Sequence, residues 1–231
     1  VHVNRRDPDR PQNGPLLMHD AGTVDGEFVL VCGGLNIEGA QGEFSASDRC
    51  DIVDDSAVLT PLTDASSMLP LPLMLHDMTS LPDGRVLLTG GYTTVGVVGE
   101  GGTFAASDQV WAYSSVSGWE RVGSLQIARG LHGVAVLPNG DVLIVGGSTD
   151  SRSPLWSGEG ATGCAETLNP VTGEGALVGA CEDGIDGPLS IPVAMPMLAT
   201  DADHGVLIVG GLDDGNDSVN QVALFVGGVP E

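Results

Sequence analysis

The sequence contains no lysine: its eight basic residues are all arginine, set against 31 Asp and Glu, for a formal net charge of −23. A surface so acidic repels phosphate backbones and anionic lipid heads, so neither nucleic acid nor a membrane surface is an expected partner. No apolar run approaches the eighteen or so residues that a membrane-spanning helix requires. The most hydrophobic window, Met68–Leu75, is broken by Pro70 and Pro72. Helical periodicity is missing throughout, and aromatic residues make up only 4% of the chain. The first residue is Val1, with no signal-like apolar segment after it, which suits a processed mature form or an excised piece.

Glycine, by contrast, is abundant. Its 35 copies follow no Gly-X-Y period, which excludes collagen, and a hydrophobic share of 42% argues against disorder. The glycines must serve turns. Over 231 residues a Gly-Gly pair follows a short aliphatic run at regular spacing four times: Phe28–Cys32 before Gly33-Gly34, Val86–Thr89 before Gly90-Gly91, Val142–Val145 before Gly146-Gly147, and Val206–Val209 before Gly210-Gly211. The spacings between pairs are 57, 56 and 64 residues. Runs that are β-branched, short and bounded by turn residues read as buried strands.

Asp83-Gly84 and Asn139-Gly140 stand ahead of the second and third runs and signal hairpins, because both residue types tolerate positive φ. Inner strands are therefore expected at Leu17–Val24, Leu75–Leu81, Leu131–Leu137 and Met195–Thr200. Third strands are expected at Cys50–Val53, Val110–Tyr113, Cys164–Leu168 and Val222–Val226. Fourth strands are expected at Val58–Leu62, Trp119–Val122 and Ala176–Val178, and the last unit stops after its third. The expected fold is all-β: a propeller of four-stranded antiparallel blades in one domain spanning 1–231, with repeats at about 16–62, 70–123, 129–180 and 192–231.

The stretch Gly90-Gly91 … Val110-Trp111-Ala112-Tyr113 … Gly118-Trp119 … Arg129-Gly130-Leu131-His132 resembles a Kelch repeat. The run Leu81-Pro82-Asp83-Gly84-Arg85-Val86-Leu87-Leu88-Thr89-Gly90-Gly91 is similar to the bacterial branch related to the central domain of galactose oxidase. The pattern is well formed only in the middle copy. Elsewhere Val53, Leu168 and Phe225 replace its Tyr, and Val58 or Ala176 replaces its Trp. Kelch rings usually hold six or seven blades, so the resemblance implies a segment of a larger propeller. Val1–Val3 lies as far before His19 as Val58 lies before His76, which places it in an outer-strand slot. That strand either completes the fourth blade and closes a ring of four, or belongs to a preceding blade.

Four cysteines fall in two intra-blade pairs. Cys164 and Cys181 lie equidistant from the centre of the turn at Pro170–Gly175, so a hairpin about that turn would set them opposite one another. Cys32 ends a second strand and Cys50 begins the third. The disulfides Cys32–Cys50 and Cys164–Cys181 imply an oxidising compartment, extracellular or periplasmic; four buried free thiols would imply a reducing one.

His19, His76 and His132 each stand fourteen residues before the first glycine of their pair, with Pro196 at that place in the fourth copy. Equal register puts them near the mouth of the axial channel, where with Arg129 they are candidates for a binding site. The competing reading is that the motif histidine ties neighbouring strands together. The stretches Leu35–Asp48, Tyr92–Asp108, Ser148–Gly163 and Leu212–Asn220 read as long loops on that face, of the kind that often carry function. Asp213, Asp214 and Asp217 offer oxygen ligands for calcium, but without EF-hand spacing, so a solvated loop is the stronger expectation.

Catalytic inventories fail. A galactose-oxidase copper site would require two tyrosines, one crosslinked to cysteine; only Tyr92 and Tyr113 are present, and the cysteines suit hairpins. Sialidase boxes, Gly-x-Ser-x-Gly and His-Glu-x-x-His are absent. Trp111, Trp119 and Trp156 are the only tryptophans available as sugar platforms. The expectation is a secreted, non-catalytic propeller without a cofactor, binding a protein or glycan partner through its loop face. Two alternatives stand beside it: part of an extracellular oxidase or carbohydrate-active enzyme whose catalytic residues lie elsewhere, and a structural module of a bacterial surface assembly. If blade edges are left open, the expected occupant is either a second copy in an edge-sharing homo-oligomer or the remainder of a larger propeller.

Overall fold

A computed structural model describes residues 17–38, 43–55, 58–64, 66–95, 103–149, 159–179, 181, 189–201 and 205–226. The proposed strand Val1–Val3, Trp156 and most of the Ser148–Gly163 loop lie outside these residues. The described residues hold strands and no helix, and so no helix long and apolar enough to cross a membrane.

The first blade runs β1 (Asp20–Val24), β2 (Phe28–Cys32), a small hairpin of β3 (Leu35–Glu38) and β4 (Glu43–Ala46), then β5 (Cys50–Val53) and β6 (Leu59–Pro61). The second repeats this with β7 (Asp77–Ser80), β8 (Val86–Thr89), the hairpin β9 (Tyr92–Val95) and β10 (Thr103–Ala106), then β11 (Gln109–Ser114) and β12 (Gly118–Ser124). The third has β13 (Gly133–Val136), β14 (Val142–Val145), β15 (Ala165–Leu168) and β16 (Gly175–Val178). The fourth has β17 (Met197–Asp201), β18 (Gly205–Val209) and β19 (Val222–Phe225). Every blade is an antiparallel meander, and the four form a β-propeller arrangement in which β1, β7, β13 and β17 succeed one another around the axis.

Two expectations are corrected. Leu35–Asp48 and Tyr92–Asp108 are not simple loops, because each carries a two-stranded hairpin standing off its blade. Each hairpin is seated by an apolar plug under its base: Leu35, Ala46, Met74, Tyr92 and Phe104 form one buried cluster. The inner strands also start later than their aliphatic runs suggest. Met18, Leu75, Leu131 and Met195 all adopt positive φ, between 54° and 59°, which breaks the strand just before the motif His or Pro.

That break has a use. The N–H of Leu75 donates to the carbonyl of Met18, Leu131 to Leu75, and Met195 to Leu131, at 3.1, 3.0 and 2.6 Å. One inner hydrogen bond therefore steps from each blade to the next. The Gly-Gly pairs do similar work. Gly90 and Gly91 sit at φ +57° and +96°, a combination favourable only for glycine, and the same pattern recurs at the other three pairs. The first glycine N–H bonds within its blade, Gly90 to Gln109; the second bonds forward to the linker, Gly91 to the carbonyl of Arg129 at 2.8 Å.

The core lies in the seams between blades. Val24, Leu30 and Cys32 of the first meet Val86 and Leu88 of the second. Leu87, Val110 and Ala112 of the second meet Val142 and Ile144 of the third. Leu143 and Val145 of the third meet Val206 and Ile208 of the fourth. At about 25 cal/mol per Å² of apolar surface removed from water, such seams are what hold sheets too thin to persist alone.

Candidate functional site

The repeated motif gathers its polar side chains at the start of the inner strands, on the end of the propeller that carries the hairpins. There the three histidines part company. His19 is exposed. His76 and His132 are buried, each with its ring beneath the double glycine of the preceding blade: a Cβ built on Gly33 would lie 2.5 Å from Cε1 of His76, and one on Gly90 would lie 2.8 Å from Cε1 of His132. Pro196 fills the same position against Gly146 in the last seam. A side chain on Gly33, Gly90 or Gly146 would run into a linker carbonyl, that of Leu73, Arg129 or Val193, with the imidazole or proline ring close beside it.

Nε2 of His132 pairs with Oγ1 of Thr89 at 2.8 Å while its Nδ1 is buried without a partner, and the buried ring of His76 has only the Cys32 backbone as a partner. Burial, with the positive charge of Arg129 adding to it, holds the His132 imidazole down at about 3; burial and the nearby His19 hold that of His76 at about 4. Both rings are neutral at physiological pH.

Arg129 is fully buried. Its guanidinium donates to the carbonyls of Gly146 and Cys164 at 2.8 and 2.9 Å, and to Oε1 of Glu166 at 2.8 Å. Glu166, equally buried, accepts the N–H of Gln126 at 2.6 Å through its other oxygen. Burial pushes the Glu166 carboxyl up and the guanidinium down, and their pairing opposes both shifts. The linker from the second blade is thereby latched onto the third.

Two residues outside the sequence-derived candidates share this region: Asp20 and Asp77, each directly after a motif histidine. Oδ2 of Asp20 accepts the N–H of Met78 at 2.7 Å, and Asp77 accepts that of Val134 together with the hydroxyl of Thr79 at 2.6 Å. Each carboxyl thus bridges its own inner strand to the next one. Burial raises both, Asp77 to about 7 with Asp20 nearby adding to the shift. The signal was the dipeptide His-Asp, repeated in the first two copies and replaced by His132-Gly133 in the third.

Asp213, Asp214 and Asp217 lie together in one loop. Oδ1 of Asp213 accepts the N–H groups of Gly215 and Asp217, both at 2.9 Å, and Oδ1 of Asp214 accepts that of Gly160 at 2.7 Å, tying the loop to the third blade. Among the described residues no three His, Cys, Asp or Glu side chains converge as a metal-binding group.

The two disulfides are Cys32–Cys50 and Cys164–Cys181. The first joins directly paired residues of β2 and β5, with Cα atoms 4.1 Å apart. The second differs from its expected register. Ala165 pairs with Val178, so Cys164 falls opposite Gly179, and Cys181 reaches back from beyond the strand across a Cα separation of 5.8 Å. The turn closes from Asn169 to Glu174, which shifts the ladder by two residues.

The fold defines the class: this is a β-propeller protein. No protein family described by sequence matches the chain, and no curated protein matches it in sequence. Solved structures do match in fold. In the structure of YjhT, a propeller-type protein, the likeness covers 90% of this chain and 81% of that one at a TM-score of 0.51, with 12% identity. At that identity the likeness is one of architecture alone.

Proposed function

We propose that this protein is a secreted, non-catalytic propeller of the Kelch type that binds a macromolecular partner through the face carrying the β3–β4 and β9–β10 hairpins. The observation that carries the reading is the division of labour in the motif. The buried motif groups, Arg129, His76 and His132, are spent on joining one blade to the next, whereas the segments that differ from repeat to repeat project from one face. Variation on a repeating scaffold is where a partner is recognised in propeller architectures. Two disulfides inside a chain of this size favour an extracellular or periplasmic setting.

The test is capture of a partner from the medium or periplasm of the source cells with immobilised protein. Val95→Arg and Thr103→Arg, both at exposed positions of the β9–β10 hairpin, should abolish capture. Val116→Arg, in the exposed β11–β12 turn on the opposite face, should not. A partner retained by the hairpin variants and lost with Val116→Arg would reverse the assignment.

A further inference from the structure

We infer that the uncovered face of the fourth blade is one half of an interface with a second copy of this chain, whose first blade supplies the other half. The three seams within the chain share one construction. Residues one and three places before a double glycine face the next blade: Leu30 and Cys32, Leu87 and Thr89, Leu143 and Val145, all buried. The residues that meet them stand two and four places before the following double glycine: Val86 and Leu88, Val142 and Ile144, Val206 and Ile208, buried as well.

In the fourth blade the first set is Leu207 and Val209, and it is bare. Strand pairing sets Met197, Val209 and Val222 in one row across the sheet and Ala199, Leu207 and Leu224 in the next. All six are exposed, Met197 by 76% and Val222 by 67%, and neither row contains a charge. In the first blade the second set is Val29 and Val31, only half-buried, with Ala21 and Thr23 exposed beside them on β1. The two halves of a fourth seam are both present and, among the described residues, both are left exposed or half-buried.

The inner hydrogen bonds are open at the same two places. They run from Leu75 to Met18, from Leu131 to Leu75 and from Met195 to Leu131, and no bond joins Met18 to Met195. What completes the series is an N–H on a left-handed residue at the head of an inner strand, presented to the carbonyl of Met195. Met18 of a second copy is such a group, at φ +59°. The group that completes the series is therefore a further blade of the same construction, which the first blade of a second copy supplies, rather than an unrelated apolar surface. The contact is head to tail, and two copies joined at both seams close on themselves without leaving an edge. Each copy carries a net charge of −23, so salt should strengthen the association by screening their repulsion.

Light scattering and sedimentation of the full chain in 0.15 and 0.5 M NaCl (~8 and ~4 Å screening lengths) should give twice the 23.5 kDa chain mass, with more dimer at the higher salt. Met197→Asp and Leu224→Asp change exposed side chains and should return the chain mass with unaltered far-ultraviolet circular dichroism. Cross-linking fixes the geometry. Ala199 and Val29 are the counterparts of Gly22 and Val86, where a Cβ on Gly22 would lie 2.7 Å from Cγ1 of Val86. Ala199→Cys protein mixed with Val29→Cys protein should yield a covalent dimer with a short bismaleimide. Three results would each overturn the inference: the chain mass under all conditions, a dimer that survives both aspartate variants, or Ala199→Cys protein cross-linking to itself. A chain carrying both cysteines that cross-links internally would do the same, since it would show a ring closed within one copy.

Discussion

Nε2 of His132 stands 2.8 Å from Oγ1 of Thr89, a bond between the inner strand of the third blade and the second strand of the blade before it. The same register position in the first blade holds Cys32, committed to a disulfide, so His76 meets no hydroxyl there and has only the Cys32 backbone as a hydrogen-bond partner. One motif position therefore has two environments. Thr89→Val keeps the shape and removes the hydroxyl. It should cost about 1–3 kcal/mol, the penalty for orphaning a buried polar group, as read by urea unfolding. No loss of stability would mean that the bond contributes nothing net.

The two imidazoles make stability depend on acid. Their folded values, about 4 and about 3, lie below the unfolded 6.5, so the unfolded chain takes up protons that the folded protein refuses. That contribution is fully present above pH 6.5 and is lost as pH falls toward 4 for His76 and toward 3 for His132. Falling pH also relieves the repulsion of an acidic chain, so the comparison has to be between variants. His76→Leu should gain on the wild type by up to about 1.4 kcal/mol per pH unit between 6.5 and 4, with no pH-dependent change above 7. A difference that stays constant across this range would remove the histidine from the account.

Asp77 carries the opposite sign. Its folded value of about 7 exceeds the unfolded 3.8, so the stability it contributes is present below pH 3.8 and is lost as pH rises through 7. Asp77→Asn retains an oxygen to accept from Thr79 and Val134 but cannot ionise. It should be more stable than the wild type by about 1–3 kcal/mol at pH 8, with the gain shrinking toward pH 4, in unfolding followed at both values. A larger gain in acid would contradict the buried setting of the carboxyl.

Breaking the Arg129–Glu166 pair should be the severest of the side-chain changes. Glu166→Ala leaves a buried guanidinium uncompensated and should cost about 3–5 kcal/mol in chemical denaturation. Arg129→Met combined with Glu166→Leu should cost less than the sum of the single changes, though not nothing, since the carbonyl of Gly146 also loses its arginine donor and that of Cys164 keeps only the Gly146 N–H. Strict additivity would show that the two groups act independently.

Glycines at similar φ should differ in cost according to what surrounds them. Gly140, at φ +87°, has open space where a Cβ would go, so Gly140→Ala should cost only the left-handed strain of about 1–2 kcal/mol. Gly90→Val adds a clash with the Arg129 carbonyl and the His132 ring, and its melting temperature should fall well below that of Gly140→Ala. Equal melting temperatures would mean that the seam yields.

Much of this was legible beforehand because it depends on neighbours in the chain. The aliphatic runs, the Asp-Gly and Asn-Gly turns and the Gly-Gly pairs give strands β2, β8, β14 and β18 nearly to the residue. The pairing of Cys32 with Cys50 follows from the ends of two adjacent strands. The hairpins β3–β4 and β9–β10 were not legible. Their strands are only four residues long and run through Gly-, Ser- and Asp-rich sequence, and an apolar plug supplied partly by Met74, from a different segment, seats them. The late start of the inner strands has a related cause: positive φ at Leu75 or Leu131 goes with a hydrogen bond to the adjacent blade, whereas the leucine itself disfavours it.

The chain by itself determined a repeating four-stranded unit, its turns and its cysteine pairs, because side-chain alternation and turn chemistry act over a few residues. Only the packing of blade on blade decided what the motif residues do. His132 reaches Thr89 across 43 positions, Arg129 reaches Glu166 across 37, and Asp20 reaches Met78 across 58. Those contacts exist only once separate sheets are brought face to face. For the same reason a row of aliphatic residues, Met197, Val209 and Val222, reads in the sequence like any other core and in three dimensions is exposed.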